Sequence, residues 1–269
     1  MNFKKNFLVL FLFVFTLNVC AAESLYKPNL FSRALGYVSQ SRPICLFDKH
    51  IMSNIFPIKF GNESASQQYI DLGKEAQDSV GIPQERQVPI KSFFKNMPFF
   101  GQFAGAVAEP DAICVNEEKL NQQTYGARRF AMFHEAVHEK YNDLSVDAIV
   151  ELVAMIVFMV GAHKLIKAIK PKGRFKALHV IAVIAAGFVG GSICSSYYHK
   201  FFERRADTQG IWAAACHKCA QEVADRRRVS FEQEKNPLRY KGYLWANDFE
   251  QIAQELQNQG KLCSHHKNN

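Results

Sequence analysis

The segment Phe133-His134-Glu135-Ala136-Val137-His138-Glu139 determines how the rest of the chain is interpreted. On an α-helix, His134 and His138 are four residues apart and project from one face, about one turn from each other. Two imidazoles at this spacing can bind one Zn²⁺, with Glu135 beside them to activate a water molecule. Histidines and glutamates are also common on solvated helix faces, and a catalytic zinc usually has three protein ligands rather than two.

A third ligand is available in the segment Phe202-Glu203-Arg204-Arg205-Ala206-Asp207. Glu203 and Asp207 are again four residues apart on a predicted helix, so Glu203 can complete the ligand set while Asp207 holds a ligand histidine from behind. Alone, this segment is typical of an exposed helix of mixed charge. Together, the two segments predict a His-His-Glu site for one Zn²⁺ per chain, with an open fourth position.

Two apolar stretches, residues 149–166 and 177–194, separate the metal motifs, and each is about long enough to span a bilayer. Because the first stretch contains the charged residue Glu151, the alternative is that both stretches are buried core helices of a protein that does not span the membrane. The hairpin connection, taken as residues 164–176, carries six cations and no acidic residue, which marks a cytoplasmic turn. We therefore predict a transmembrane hairpin over residues 146–195, which places both halves of the metal site on the exported side.

The first 22 residues resemble a secretory signal. Lys4 and Lys5 precede an apolar core at residues 7–17, and small residues follow at 19–22. We predict a signal peptide or an uncleaved N-terminal anchor over residues 1–22. The expected location is the inner (cytoplasmic) membrane of a bacterium, with the site facing the periplasm.

The net charge of +8 is concentrated in the N-terminal signal and in the connection of the predicted hairpin. Lys4, Lys5 and the six cations of the hairpin connection account for the whole excess. The remainder of the chain is balanced, so we expect no nucleic-acid partner. The expected partners are a protein or peptide substrate and the lipid bilayer, and no oligomeric state follows from the sequence.

The cysteines are even in number once Cys20 of the signal is removed, which in an exported chain favours structural disulfides. The segment Cys216-His217-Lys218-Cys219 is also compatible with a redox motif or, together with Cys263, His265 and His266, with a second metal site. We expect disulfides, although the sequence does not choose their pairing. The six cysteines are Cys45, Cys114, Cys194, Cys216, Cys219 and Cys263.

Helical periodicity upstream of the motif predicts a helix from Ser66 to Val80 that stops at Gly81-Ile82-Pro83. Residues 87–91 are predicted to form a short strand, which Pro89 restricts to a sheet edge. Residues 112–116 are a second predicted strand. The first metal motif lies on a helix predicted over residues 122–141.

With these features in place, the chain resembles the membrane-embedded zinc metallopeptidases of the HtpX and CAAX-prenyl-protease type, which include the mitochondrial Oma-type proteases. The resemblance covers residues 66–215. Its motifs are Gly81-Ile82-Pro83 after a helix, Asp111-Ala112 before a strand, His134-Glu135-x-x-His138, a membrane hairpin, and Glu203-x-x-Ala206-Asp207. The Asp111 position is often asparagine in that family, and HtpX-type catalytic domains face the cytoplasm.

The resemblance implies a mainly α fold with a small β-sheet (α+β). A zincin-like metallopeptidase core would occupy residues 66–215, with the transmembrane hairpin at 146–195 inserted between the metal motifs. Residues 23–65 would form an N-terminal segment and residues 216–269 a C-terminal helical extension.

The function implied is that of a membrane-bound zinc endopeptidase acting on membrane or extracytoplasmic proteins. His134, His138 and Glu203 would hold Zn²⁺, Glu135 would be the general base, and Asp207 would orient a ligand histidine. An extended peptide would pair with the strand formed by Asp111, Ala112, Ile113, Cys114, Val115 and Asn116. The alternative is a catalytically silent membrane scaffold that retains the fold, but such a scaffold would not need the base Glu135.

Overall fold

The computed structural model of the protein describes residue 40 and residues 61–93, 105–109, 111–169, 175–233 and 243–268. The predicted signal at residues 1–22 and most of the segment 23–65 lie outside them. Over the described residues the protein is mainly helical with a small mixed four-stranded sheet, as the sequence predicted. The helices are α1 Gln67–Val80, α2 Glu117–Asn121, α3 Tyr125–Tyr141, α4 Asp143–Ile169, α5 Phe175–Ala214, α6 His217–Gln233, α7 Ala246–Asn258 and α8 Ser264–Lys267.

The predicted helices upstream of the hairpin are confirmed. Helix α1 ends at Gly81, whose backbone takes the left-handed conformation (φ 81°) that often terminates helices. Helix α3 begins after Thr124, whose side chain accepts a hydrogen bond from the Ala127 N–H and so caps the helix. Helix α3 ends at Asn142, also left-handed (φ 49°), and α4 starts at the next residue.

The sheet consists of β1 Gly61–Ser64, β2 Ile90–Phe93, β3 Ala106–Glu109 and β4 Ala112–Val115, in the order β1-β2-β4-β3. Strands β2 and β4 are parallel, and the two outer pairings are antiparallel. The strand predicted around Pro89 was expected at an edge, but β2 lies inside the sheet. Pro89 directly precedes this strand and uses only its carbonyl, which accepts the Ile113 N–H at 3.0 Å, so the ladder loses no donor.

Helix α3 is buried between two hydrophobic clusters. On one side, Met132 and Phe133 pack with Tyr69 of α1 and Ile113 of β4. On the other side, Phe130 packs edge-to-face against Phe249 of α7, with ring centroids 5.2 Å apart. Burying a side chain of this size contributes on the order of 1.5–3 kcal/mol. The C-terminal helices are therefore part of the packing that fixes α3.

Helices α4 and α5 form the predicted hairpin, and both are long and apolar enough to span a membrane. Nearly all the exposed large hydrophobic side chains of the described residues lie on this hairpin, with Val229 and Trp245 as the exceptions. Leu152 and Ile181, for example, are each more than half exposed. Core helices would bury such side chains, so this distribution argues against the buried-helix alternative.

Helix α5 is longer than a membrane span needs. Its 40 residues extend about 60 Å, roughly twice the thickness of a hydrocarbon core. The C-terminal part packs across α3, and the two helices approach each other closely at Gly210, where an added Cβ would lie 3.1 Å from the backbone nitrogen of His134. This close approach brings Glu203 and Asp207 of α5 against the histidines of α3.

Candidate metal centre

An open cavity of about 320 Å³ lies where β3, α3, α4 and α5 meet. Side chains from the motifs around His134 and Glu203 line it, and Tyr243 and residues at the start of α4 complete its wall. The lining includes Ala108, His134, Glu135, His138, Asp143, Leu144, Asp147, His199, Glu203 and Tyr243.

Three ligand atoms converge at the base of this cavity. The Nε2 atoms of His134 and His138 are 3.0 Å apart. The Glu203 carboxylate lies 3.2 Å from Nε2 of His134 and 3.5 Å from Nε2 of His138. One donor atom from each residue lies within 4.8 Å of the others. The structure thus brings together the three residues that the sequence singled out as ligands.

A second carboxylate stands behind each histidine. Asp207 Oδ1 lies 2.9 Å from Nδ1 of His134, in the position anticipated for it, and Asp143 Oδ2 lies 2.8 Å from Nδ1 of His138. Asp143 also pairs with the buried Arg205. The sequence did not predict the role of Asp143. Its carboxylate can contact His138 only because the backbone at Asn142 takes the left-handed conformation.

The donor set fits a divalent metal ion. Protons on Nδ1 are stabilised by the carboxylates behind the rings, which leaves the two Nε2 lone pairs facing each other and the Glu203 carboxylate. Three acceptors at such distances repel one another unless a proton or a metal cation lies between them. Two imidazole nitrogens and one carboxylate oxygen suit zinc and related transition metals, and the cavity leaves room for a further ligand.

The electrostatics also favour a cation here. Burial lowers the pKa of His134, but hydrogen bonds to Asp207 and Glu203 outweigh it and raise that pKa to about 9. Burial likewise opposes the charge on His138, yet Asp143 and Glu203 raise its pKa well above the usual value. The carboxylates surrounding the two rings therefore stabilise positive charge at the point where the three ligand atoms meet.

Glu135 faces the cavity without belonging to the group of three. Its Oε2 accepts a hydrogen bond from the Ala108 N–H of β3 at 2.8 Å. Burial raises the pKa of the Glu135 carboxyl, and the neighbouring charges of His134 and His138 act in the opposite direction. Glu135 is thus a buried carboxylate beside the metal ligands, tied to the adjacent strand.

The prediction that a substrate peptide pairs with the strand at residues 111–116 is wrong, because this strand does not lie at an edge of the sheet. Ala112, Ile113, Cys114 and Val115 form β4, which is buried and paired with β2 on one side and β3 on the other, so it offers no edge. Asp111 lies in the turn before β4, and the Asn116 side chain caps α2 by accepting the Lys119 N–H.

Among the described strands, β3 is the one that borders the cavity from an outer position. The sequence did not predict β3. At four residues it is too short for a clear alternation, and it follows a run rich in phenylalanine and glycine that fits several structures.

The C-terminal extension contributes to the site, which the sequence did not indicate. The Tyr243 ring stacks near His134 with centroids 6.4 Å apart, and its hydroxyl is hydrogen-bonded to Glu203. Burial, followed by the Glu203 charge, raises the pKa of Tyr243, so the phenol stays protonated and can donate. Asp207 accepts the Leu244 N–H at 2.8 Å and pairs with Arg227. No local pattern could reveal these contacts, because they join segments 20 or more residues apart.

His199 is a further residue of the cavity that sequence reasoning did not select. It lies one turn before Glu203 on α5, with its Nε2 3.6 Å from Glu203 Oε1, and its side chain is 59% exposed. It therefore stands at the mouth of the cavity, within reach of a molecule bound beside the three ligands.

The expectation of disulfides is wrong for the cysteines that the structure describes. Cys114, Cys194, Cys216, Cys219 and Cys263 are all free. Cys114 is buried in the central strand β4 and Cys194 lies within α5, far from the C-terminal group. The other three gather around His266 instead of pairing. Cys45 lies outside the described residues.

Comparisons with known proteins give no relative for this chain: no protein-family model, curated protein or solved structure matches it. The interpretation of the site therefore depends on its own geometry.

The carboxylate behind His138 yields a first prediction. Asp143→Asn keeps the side chain's size but removes the charge that stabilises the Nδ1 proton, so zinc affinity should fall by about 10- to 100-fold. Competition titration with a zinc indicator measures this change. Asp147→Asn, one turn further along α4, is the matched control because Asp147 pairs with Ser195 rather than with a candidate ligand. Equal affinity in the Asp143 variant and the parent would remove Asp143 from the support of His138.

Proposed function

We propose that the protein is a membrane-bound zinc endopeptidase with a zincin-like core. It hydrolyses peptide bonds of membrane or extracytoplasmic proteins. The observation that supports the proposal is the convergence of His134, His138 and Glu203 in an open cavity beside the buried carboxylate of Glu135. A site that only stored or sensed a metal would not require the carboxylate of Glu135.

The reaction follows from the positions of these residues. His134, His138 and Glu203 would hold a zinc ion, which when bound would polarise the scissile carbonyl and the attacking water as a Lewis acid. Glu135 accepts the proton from that water and passes it to the leaving amine. The burial that raises the pKa of Glu135 makes it a better proton acceptor near neutral pH. Asp207 and Asp143 keep the two imidazoles in the tautomer that leaves Nε2 free.

Strand β3 is the proposed binding site for the substrate backbone. In the antiparallel pairing with β4, alternate residues direct their N–H and C=O groups away from the partner strand. The Ala108 N–H points away in this manner, because it reaches Glu135 across the cavity. An extended peptide can add to this edge and place a peptide bond over the metal.

Replacing that donor tests the role of β3. Ala108→Pro removes the N–H, which donates to Glu135 in this structure and would turn to an added peptide strand, so losing this donor should lower kcat/KM by at least about tenfold while zinc content stays at the parent level. Ala108→Val, which keeps the N–H and suits a strand, serves as the control. If the proline variant cleaves casein as efficiently as the valine variant, the substrate does not pair with this edge.

The hairpin would anchor the enzyme with its site close to the bilayer surface. Asp143, the first residue of α4, already contacts the ligand His138, and Leu144 and Asp147 of the same helix line the cavity. We place the cationic connection in the cytoplasm and the site in the bacterial periplasm. Segments of substrate that emerge from the membrane would then reach the metal directly.

Cysteine labelling tests this topology. Lys167 near the end of α4 and Glu118 in α2 are both exposed, and the proposed topology puts them on opposite sides of the membrane. In intact cells, a membrane-impermeant maleimide should label Glu118→Cys, whereas Lys167→Cys should react only after lysis. The parent protein gives the background from its native cysteines. Labelling of both positions from the same side would refute the transmembrane hairpin.

The activity itself is tested by incubating the purified protein with casein in ¹⁸O-enriched water. Each cleavage should place one solvent oxygen in the carboxylate of the fragment with the new C-terminus and none in the fragment released with a new amino terminus, and a chelator should stop the formation of both. A lack of new fragments, both from casein and from extracted membrane proteins, would contradict the proposal.

A further inference from the structure

A second cluster of metal-binding side chains lies near the beginning of α3, outside the cavity described above. Cys216, Cys219, Cys263 and His266 each direct one donor atom to a common point, with these atoms within 4.8 Å of one another. Nδ1 of His266 lies 3.3 Å from the sulfurs of Cys216 and Cys263 and 3.7 Å from that of Cys219. All three cysteines are buried.

The sequence spacing of these residues is that of a structural zinc site. Two residues separate Cys216 from Cys219, and two separate Cys263 from His266. Pairs with this short spacing, brought together from distant parts of a chain, form closed tetrahedral zinc sites of the Cys₃His type. The first pair lies at the start of α6, and the second pair brackets the start of the short helix α8.

The geometry does not support a disulfide in this cluster. The sulfurs of Cys219 and Cys263 are 3.8 Å apart, whereas a disulfide bond is about 2.05 Å long. Any pairing would leave the third thiol buried without a covalent partner. Three thiolates and one imidazole, in contrast, provide the complete ligand set of a tetrahedral ion.

The histidine of the cluster is held from behind in the manner typical of metal ligands. Nε2 of His266 lies 2.9 Å from one carboxylate oxygen of Glu222. The other oxygen of Glu222 accepts the Gly126 N–H of α3 at 2.7 Å. A proton on Nε2 is stabilised by the carboxylate, so the unprotonated Nδ1 faces the three sulfurs.

We propose that Cys216, Cys219, Cys263 and His266 hold a second zinc ion, which fastens the C-terminal tail and helix α6 to the start of α3. Four protein ligands leave no position for substrate, so this ion is structural. The attachment to α3 is close, because a Cβ at Gly126 would lie 2.7 Å from the Cα of Cys219. Tyr125 reinforces it by stacking on His265, with ring centroids 3.8 Å apart.

This second ion would support the first centre indirectly. Helix α3 begins at the cluster and carries His134 about two and a half turns later and His138 one turn beyond it. Helix α6 begins at the cluster as well and carries Arg227, which pairs with Asp207 behind His134. Thiolates bound to zinc are also protected from oxidation, which would allow an exported chain to retain three unpaired cysteines.

The proposal is tested by metal analysis of the full-length protein, which requires no activity. The parent should hold about two zinc ions per chain, one in each candidate group. His266→Ala and Cys263→Ser should each lose about one. His266→Cys, which restores a ligand, should retain both, and so should the control Cys194→Ser.

Cobalt substitution of the unmutated protein provides a measurement that does not depend on how the variants fold. Tetrahedral cobalt bound by three thiolates gives intense visible bands and a near-ultraviolet thiolate-to-cobalt charge-transfer band; the His-His-Glu centre has no sulfur ligand and cannot produce the charge-transfer band. We expect these bands in the parent and in His134→Ala. Their absence from the parent, or a Cys219–Cys263 disulfide found by intact-mass analysis of the purified protein, would overturn the proposal.

Discussion

Glu135→Gln is expected to abolish nearly all peptidase activity while leaving folding, membrane insertion and zinc content unchanged. Glutamine has the size of glutamate and can still accept the hydrogen bond from Ala108. It cannot accept a proton from the attacking water. Losing general-base catalysis typically costs on the order of a hundredfold to ten-thousandfold in rate. The measurement is the initial rate of casein cleavage by parent and variant at equal zinc content.

The same variant distinguishes an enzyme from a scaffold. The variant binds substrate without cleaving it. More casein should therefore co-elute with the variant than with the parent in size-exclusion chromatography. Glu118→Gln, the same change on the exposed side of α2, is the control for loss of one negative charge. If Glu135→Gln cleaves as fast as the parent, Glu135 is not the base. If neither protein cleaves any substrate tested, the result favours the alternative of a catalytically silent scaffold.

Removal of a ligand should empty the His-His-Glu centre. In His138→Ala, the remaining donors are one imidazole and one carboxylate, and the buried Asp143 loses the ring that it faces. In Glu203→Ala, two facing Nε2 atoms remain without the carboxylate that completes the set. Each variant should lose about one zinc per chain, and with it all cleavage of casein.

The two centres can be told apart in these variants. Loss of the His-His-Glu ion should leave the cobalt–thiolate bands of the Cys₃His cluster unchanged. Glu118→Ala is the matched control, since Glu118 is an exposed carboxylate of α2 outside both candidate metal groups. Full metal occupancy in Glu203→Ala would remove Glu203 from the ligand set.

The sequence predicted those site residues whose relative positions follow from the repeat of an α-helix. His134 and His138 share a face of α3, and Glu203 and Asp207 share a face of α5, because residues four apart on a helix are neighbours. Helix α3 was predicted over residues 122–141, whereas the stop at Gly81 identified only the end of α1. The meeting of the two helices was inferred from the need for a third ligand, and Gly210 is the physical feature that permits it.

The residues that were missed depend on turns or on distant segments. Asp143 follows a left-handed residue, so its position relative to His138 cannot be read from a helical repeat. Tyr243 and Leu244 reach the centre only because α6 and α7 pack on Phe130. Strand β3 is too short to be recognised alone, and its outer position follows from pairings across the sheet rather than from its residues.

The cysteines illustrate how a general rule can fail at particular residues. An even count in an exported chain favours disulfides, but three of these thiols surround an imidazole whose other nitrogen is held by Glu222. The zinc-binding alternative was visible in the spacing of Cys216 and Cys219. Only the packing of the C-terminal tail brings Cys263 and His266 beside them.

The central claim is that a metal held by His134, His138 and Glu203 drives peptide hydrolysis. Its most direct test is the casein-cleavage rate of protein stripped with a chelator and then resupplied with zinc. We predict that the stripped protein is inactive, that zinc restores the parent's rate, and that zinc restores nothing in Glu135→Gln. Cleavage by the stripped protein at the parent's rate would contradict this account.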